Sequence, residues 1–165
     1  AMWYEKNGYK KIAADYRIKK VDGLKDQEEY LKQARKGLKK QFSDMDLSKY
    51  TEVCFVSKSI GTVLALWLEE ELGLKNVVHV LMTPIERTLP LLKRQRHCIY
   101  AATGPEDKLV DSDRLRKVCK KMGYPLQEFE GTGHCLEPVD GEDRVQKSLE
   151  VMRIIMSQIQ KNSNN

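Results

Sequence analysis

Short runs of β-branched and apolar residues alternate along this chain with longer stretches in which apolar side chains return every three or four positions. After an Asn7-Gly8 turn, Lys10 to Tyr16 (KKIAADY) reads as a strand. From Asp26 to Phe42, Tyr30, Leu31, Ala34 and Leu38 keep helical spacing, with lysines around the rest of the wheel. Thr51 to Ser57 (TEVCFVS) is strand-like, and Ile60 to Leu72 places Ile60, Val63, Leu64, Trp67 and Leu68 on one helical stripe stopped by Gly73. Asn76 to Met82 is a further strand, followed by a short, Pro-interrupted helical piece from Pro84 to Leu92. The rhythm repeats with a strand at Arg96 to Ala102, a helix at Asp113 to Met122 ended by Gly123, and a short strand at Leu126 to Glu130. A last helix, Glu142 to Gln160, carries Val145, Leu149, Met152, Ile155, Met156 and Ile159 on one face. Helical spacing assigns Trp67, Met152 and Met156 to the core.

Strands that alternate with helices need right-handed crossovers, which make neighbouring strands parallel and cover both sheet faces. The expected fold class is therefore α/β: a three-layer sandwich with a mostly parallel sheet of about five strands. No repeat, low-complexity tract or long linker divides residues 1–165, so one domain is expected, with a frayed polar tail at 161–165.

Composition removes several classes of function. With 41% hydrophobic and 32% charged residues, the chain has the make-up of a globular domain with a core. Its longest apolar stretches, such as Asn76 to Thr83, are about eight residues, too short to span a bilayer, so no membrane partner is expected. The four cysteines, Cys54, Cys98, Cys119 and Cys135, form no C-x-x-C pair and read as reduced thiols of a cytoplasmic protein. Cys54 and Cys98 fall mid-strand and should be inert; Cys135 should be the accessible one. The net charge of +5 resides wholly in residues 1–50, which hold 13 basic and 8 acidic side chains. Lys32, Arg35, Lys36, Lys39 and Lys40 share one helix without interleaved aromatics, so they read as a solvated face and no nucleic-acid partner is expected.

In parallel sheets, working residues gather beyond the carboxyl ends of the strands. Three ends carry chemistry. Thr51–Ser57 runs into Ser57-Lys58-Ser59-Ile60-Gly61 and then a helix. Arg96–Ala102 ends in Gly104-Pro105-Glu106-Asp107-Lys108-Leu109-Val110, and Leu126–Glu130 in Gly131-Thr132-Gly133-His134-Cys135. A serine needs a base within hydrogen-bond reach to become nucleophilic, and the base needs an acid to fix its tautomer. Taken singly, each residue has a plainer reading: a helix N-cap for Ser59, a turn or cap former for Asp107, a surface turn for His134.

Together and in this order, from Gly8-Tyr9-Lys10 to the last helix, these segments resemble the α/β-hydrolase superfamily. The resemblance implies Ser59 as the nucleophile of the G-x-S-x-G elbow, Asp107 as the acid of a G-x-x-D-x-x-V pattern, and His134 as the base of a late G-x-G-H-like loop. The backbone N–H of Ile60 would supply half of the oxyanion hole. It implies a serine hydrolase for a small-molecule ester, thioester or amide, without cofactor or metal; the alternative is a catalytically weak or inactive hydrolase-fold protein acting as an interaction module. Ser57 stands where the elbow has its first glycine and is a rival nucleophile; Asp111 and Asp113 compete with Asp107 but are better placed as helix caps.

The family's leading strands have no counterpart here, and residues 1–7 match only the end of a leading helix. The expectation is therefore that Lys10–Tyr16 lies beside Thr51–Ser57 or that the uncovered edge self-associates, and that ester turnover is poor for want of a second oxyanion donor. Other chemistries fail on spacing: a P-loop would need glycine at Glu52 and Ser57, and His79, His97, His134 and the cysteines are not spaced as metal ligands.

Overall fold

A computed structural model of the protein describes residues 8, 10–16, 18, 25–94, 97–138, 146 and 150–157. The expectations for residues 1–7, 161–165, Asn7, Arg96, Val145, Leu149 and Ile159 lie outside them. The chain forms two compact units, Ala1–Asp46 and Leu47–Asn165.

The first unit holds helix α1 (Gln27–Phe42), which buries Leu31, Ala34, Leu38 and Phe42. Asp26 caps it by accepting the Glu29 N–H at 3.0 Å; Glu28 and Glu29 sit in the first turn and Lys39 and Lys40 in the last, the arrangement that the helix dipole favours. Residues 10–16 form no strand, contrary to the sequence pattern. Three of their backbone groups bond to side chains of α1 instead: Gln41 Nε2 donates to Ala13 O at 2.8 Å, Asp15 N–H donates to Gln41 Oε1 at 3.0 Å, and Tyr30 Oη donates to Tyr16 O at 3.3 Å. A side-chain amide that takes both a donor and an acceptor of the segment competes directly with a strand ladder.

The second unit is a four-stranded parallel sheet in the order β1 (Val53–Lys58), β2 (Val77–Met82), β3 (Cys98–Thr103), β4 (Leu126–Glu128). The crossovers carry α2 (Ile60–Glu71), then a 3-10 turn at Glu86–Thr88 running into α3 (Leu89–Leu92), then α4 (Ser112–Met122). Residues 150–157 are helical. Period-two alternation sends Leu81 and Ala101 into a core with Leu66, Leu89, Leu92 and Leu115, and sends Val80, Tyr100 and Ala102 into one with Phe129, Val151 and Ile155. The sheet is thus packed on both faces, the α/β arrangement the alternating pattern implied, with four strands among the described residues. Met152, expected in the core, is 49% exposed, and Trp67 is half-buried. Asp111 caps α4 by accepting the Arg114 N–H at 3.0 Å, and Gly123 closes it at φ 72°, a left-handed conformation that glycine adopts without a Cβ penalty.

Candidate active site

β1 hands the chain to α2 through a single strained residue. Ser59 has φ 54° and ψ −128°, a backbone that costs a non-glycine residue on the order of 1–3 kcal/mol and persists only where its surroundings fix it. Those surroundings are visible. The Ser59 N–H donates to Met82 O at 3.0 Å, continuing the β1–β2 ladder past the strand end. The Ser59 carbonyl accepts from the Thr62 N–H at 3.0 Å and from Thr62 Oγ1 at 2.7 Å, and Thr62 Oγ1 lies 2.7 Å from Thr88 Oγ1, which accepts the Ile85 N–H. Ser59 occupies the N-cap position of α2, but its side chain caps nothing. Its Oγ points elsewhere, 2.7 Å from His134 Nε2.

His134 follows β4, in a loop closed by the Thr132–Pro138 bridge and by Gly133 N–H to Glu137 O at 3.3 Å. Its Nδ1 lies 2.7 Å from Asp107 Oδ2. Asp107 has a fully buried side chain whose Oδ1 accepts the Leu109 N–H at 2.8 Å, while its own N–H donates to Gly104 O at 3.0 Å. An ionised carboxylate only accepts, so Nδ1 carries the imidazole proton and Nε2 is left to accept from the serine hydroxyl.

The residues singled out in the sequence, Ser59, Asp107 and His134, therefore meet beyond the carboxyl ends of β1, β3 and β4. Ile60 opens α2, so its N–H is among the first-turn amides that a helix leaves without an intrahelical acceptor. The rivals fall away on geometry. Ser57 is buried, with its Oγ 3.4 Å from Val80 O, and so faces the sheet. Asp111 is a cap, and Asp113 pairs with Arg116 at 2.5 Å.

Two supports were not legible in the pattern. The Thr62–Thr88 hydroxyl chain needs residues 26 apart to meet. Gly104, part of the acid-loop motif, is glycine because the histidine loop passes directly over it: a Cβ there would lie 2.5 Å from the carbonyl carbon and Oγ1 of Thr132, and closer still to its carbonyl oxygen. The two loops are tied at this seam by the Glu106 N–H donating to Thr132 O at 3.1 Å.

Among the described residues, no group of three His, Cys, Asp or Glu side chains could hold a metal ion, and no helix is long and apolar enough to cross a membrane. The thiols differ sharply. Burial pushes Cys54 up to about 11, Cys98 up to about 12 and Cys119 up to about 11, while Cys135, beside His134, is exposed.

No family model matches this chain. No curated protein matches it either. Solved structures do. The chain is similar to the esterase Pf2001 of Pyrococcus furiosus, at TM-score 0.56 and 12% identity over 89% of this chain and 68% of that one. It is also similar to a predicted CIB-like hydrolase from Thermoplasma acidophilum (TM-score 0.49, 17% identity, 87% of this chain) and to a Bacillus cereus carboxylesterase (TM-score 0.41, 12% identity, 86% of this chain). It spans 64% of the Thermoplasma protein's length and 66% of the Bacillus protein's. The likeness to the Pyrococcus structure, with the parallel sheet and its crossovers, gives the protein an α/β-hydrolase-like fold.

Proposed function

We propose that this protein is a serine hydrolase acting on an ester, thioester or amide of a small molecule. Ser59 Oγ attacks the substrate carbonyl carbon while its proton passes to His134 Nε2, and the buried Asp107 carboxylate holds Nδ1–H and stabilises the imidazolium that forms. The carbonyl oxygen, now an oxyanion, is met by the Ile60 N–H at the positive end of α2. The intermediate collapses by expelling the leaving group, which takes the proton from His134. Water then attacks the acyl-serine, again with His134 as base, and releases the acid and free Ser59. The steps use only side chains, backbone and water.

One observation carries this reading: a serine held at φ 54° with its Oγ 2.7 Å from a histidine nitrogen, the ring's other nitrogen 2.7 Å from a buried carboxylate. A serine used as a helix cap would need neither the strain nor the histidine. The likeness to the Pyrococcus esterase supports the fold on which such a site is built. The test is covalent labelling of the native protein by a fluorophosphonate, with the adduct mapped by peptide mass. Labelling at Ser59 that disappears in His134→Ala is expected; no adduct, or one indifferent to His134, would overturn the proposal. A second reading, an interaction module without turnover, is favoured by the exposure of Val56 on the outermost strand, and would be left standing by the absence of an adduct.

A further inference from the structure

The two edges of the sheet are built differently. β4 has only three residues, and its Glu128 is held by Arg116 through paired hydrogen bonds of 3.0 and 2.8 Å, so that edge is short and charged. Both are ordinary ways of blocking strand addition. β1 is six residues long, lies at the other end of the strand order, and shows Val56 46% exposed.

The direction of its backbone groups follows from the ladder. Val53 N–H donates to Asn76 O and Ser59 N–H to Met82 O, so the odd-numbered residues face β2. By alternation, the N–H and C=O groups of Glu52, Cys54, Val56 and Lys58 face outward, where no strand of the described residues pairs with them. The same four side chains share the sheet face on which Cys54 packs against the Val80 and Tyr100 core. The row begins with an acid and ends with a base. Both are exposed, and neither has an ion-pair partner among the described residues, Lys58 Nζ donating only to Cys135 O at 3.5 Å.

We infer that β1 is the pairing edge for a second copy of this chain, joined antiparallel about a twofold axis through Phe55. That register sets Glu52 of each copy opposite Lys58 of the other, and Cys54 opposite Val56. It pairs outward-facing residues with outward-facing residues, as an antiparallel ladder requires, and completes about eight backbone hydrogen bonds. Sliding the register by two residues in either direction leaves the charges opposite apolar or uncharged residues. Closed twofold symmetry excludes the parallel alternative. Charge complementarity within one strand is thus what selects a copy of the chain as the occupant, and the result is a continuous sheet across both molecules. The inference is independent of the hydrolase reading.

The experiment measures mass, not activity, on the full chain by sedimentation velocity over about 1 to 100 µM, a range that brackets a micromolar dissociation constant. The wild-type protein is expected to shift from monomer to dimer. Glu52→Lys or Lys58→Glu alone should weaken the dimer about tenfold or more, and the double swap should restore it, since charge pairs across an interface act through complementarity of sign. Val56→Pro removes an outward N–H that β2 does not use, so the fold, checked by circular dichroism, should survive while the dimer is lost. A wild-type monomer throughout the range would overturn the inference. So would a monomer whose Cys54 and Val56 amides resist hydrogen exchange, which would assign the edge to another segment of the same polypeptide. A dimer indifferent to Val56→Pro, or a double swap that fails to rescue, would equally overturn it.

Discussion

Replacing Gly104 by alanine adds one methyl group at the seam between the acid loop and the histidine loop. The new Cβ would meet the carbonyl carbon and Oγ1 of Thr132 at 2.5 Å, against the roughly 3.4 Å at which ordinary van der Waals contact begins. The obstructing atoms include backbone, so no side-chain rotation relieves the overlap, and the loops must part by about 1 Å. Thr132 lies two residues before His134, and its carbonyl is the acceptor for Glu106 N–H, one residue before Asp107. Parting the loops therefore acts on the Asp107–His134 contact, lengthening it from 2.7 Å to a separation at which it is no longer a hydrogen bond.

Overpacking of this kind costs about 1–3 kcal/mol, a fall of several degrees in Tm for a chain of this size. A displacement of about 1 Å in the reacting groups costs on the order of 10²-fold in rate. The expected result is a fluorophosphonate labelling rate, and an aryl-ester hydrolysis rate, lower by about two orders of magnitude in a protein that remains folded by circular dichroism. Gly37→Ala is the matched control: its Cβ meets nothing within 4 Å at an exposed position of α1, so it should raise stability by about 0.5–1 kcal/mol and leave labelling unchanged. A Gly104→Ala protein with unchanged Tm and labelling would refute the seam argument.

The other predictions concern the acid, a buried hydroxyl and the thiols. Asp107→Asn keeps the shape but offers Nδ1 the wrong partner, so labelling of Ser59 should fall by several orders of magnitude, toward 10⁴-fold, with little change in Tm. The Thr103 hydroxyl is buried without a partner among the described residues, so Thr103→Val should be neutral or stabilising by up to about 1 kcal/mol in urea unfolding. A neutral thiol reagent should modify Cys135 first and the buried Cys98 and Cys119 only as fast as the protein opens, with the half-buried Cys54 in between; modification of Cys54 faster than of Cys135 would contradict this order. Those three thiols ionise at about 11, 12 and 11 in the folded protein against 9.0 when free. The unfolded chain thus loses protons first as pH rises. Their contribution is complete below pH 9 and is lost as pH rises toward the folded values of about 11 to 12, so the urea midpoint should be lower at about pH 10.5 than at about pH 8.

Most of the second unit was legible from periodicity, because a parallel sheet covered on both faces writes itself as apolar runs spaced by helical stripes. Val53–Lys58, Val77–Met82, Cys98–Thr103 and Leu126–Glu128 fall within a residue or two of the segments the pattern assigns. The positions of Ser59, Asp107 and His134 at strand ends were equally legible, since an order of residues and a strand boundary are properties of sequence. What sequence does not carry is the meeting of distant atoms. KKIAADY reads as a strand after the Asn7-Gly8 turn, and nothing local announces that the Gln41 amide, 28 residues from Ala13, will take hydrogen bonds of its backbone. Gly104 is a motif letter until Thr132 is seen above it.

Exposure fails for a related reason, and the failures fall together. Met152 has the spacing of a core residue and Val56 lies in the continuous apolar run of a buried strand, yet each is about half exposed. Periodicity reports which face a side chain occupies; it does not report where that face stops. A side chain on the inner face of an interior strand has neighbours on both sides, whereas on an edge strand it has them on one. Val56 belongs to the strand at the end of the order β1-β2-β3-β4, with nothing paired beyond it among the described residues, and the helix carrying Met152 packs over the same face through Val151 and Ile155. The unbroken apolar run from Val53 to Val56 is that of a strand covered on both faces, and a wider sheet would carry that cover past Val56. If pairing with a second copy supplies that width, Val56 should lose exposure on association while Glu128, on the charged opposite edge, should not. Hydroxyl-radical footprinting at concentrations above and below the dimer transition reads both residues in one experiment, and equal protection of the two would show that the pattern of β1 has another cause.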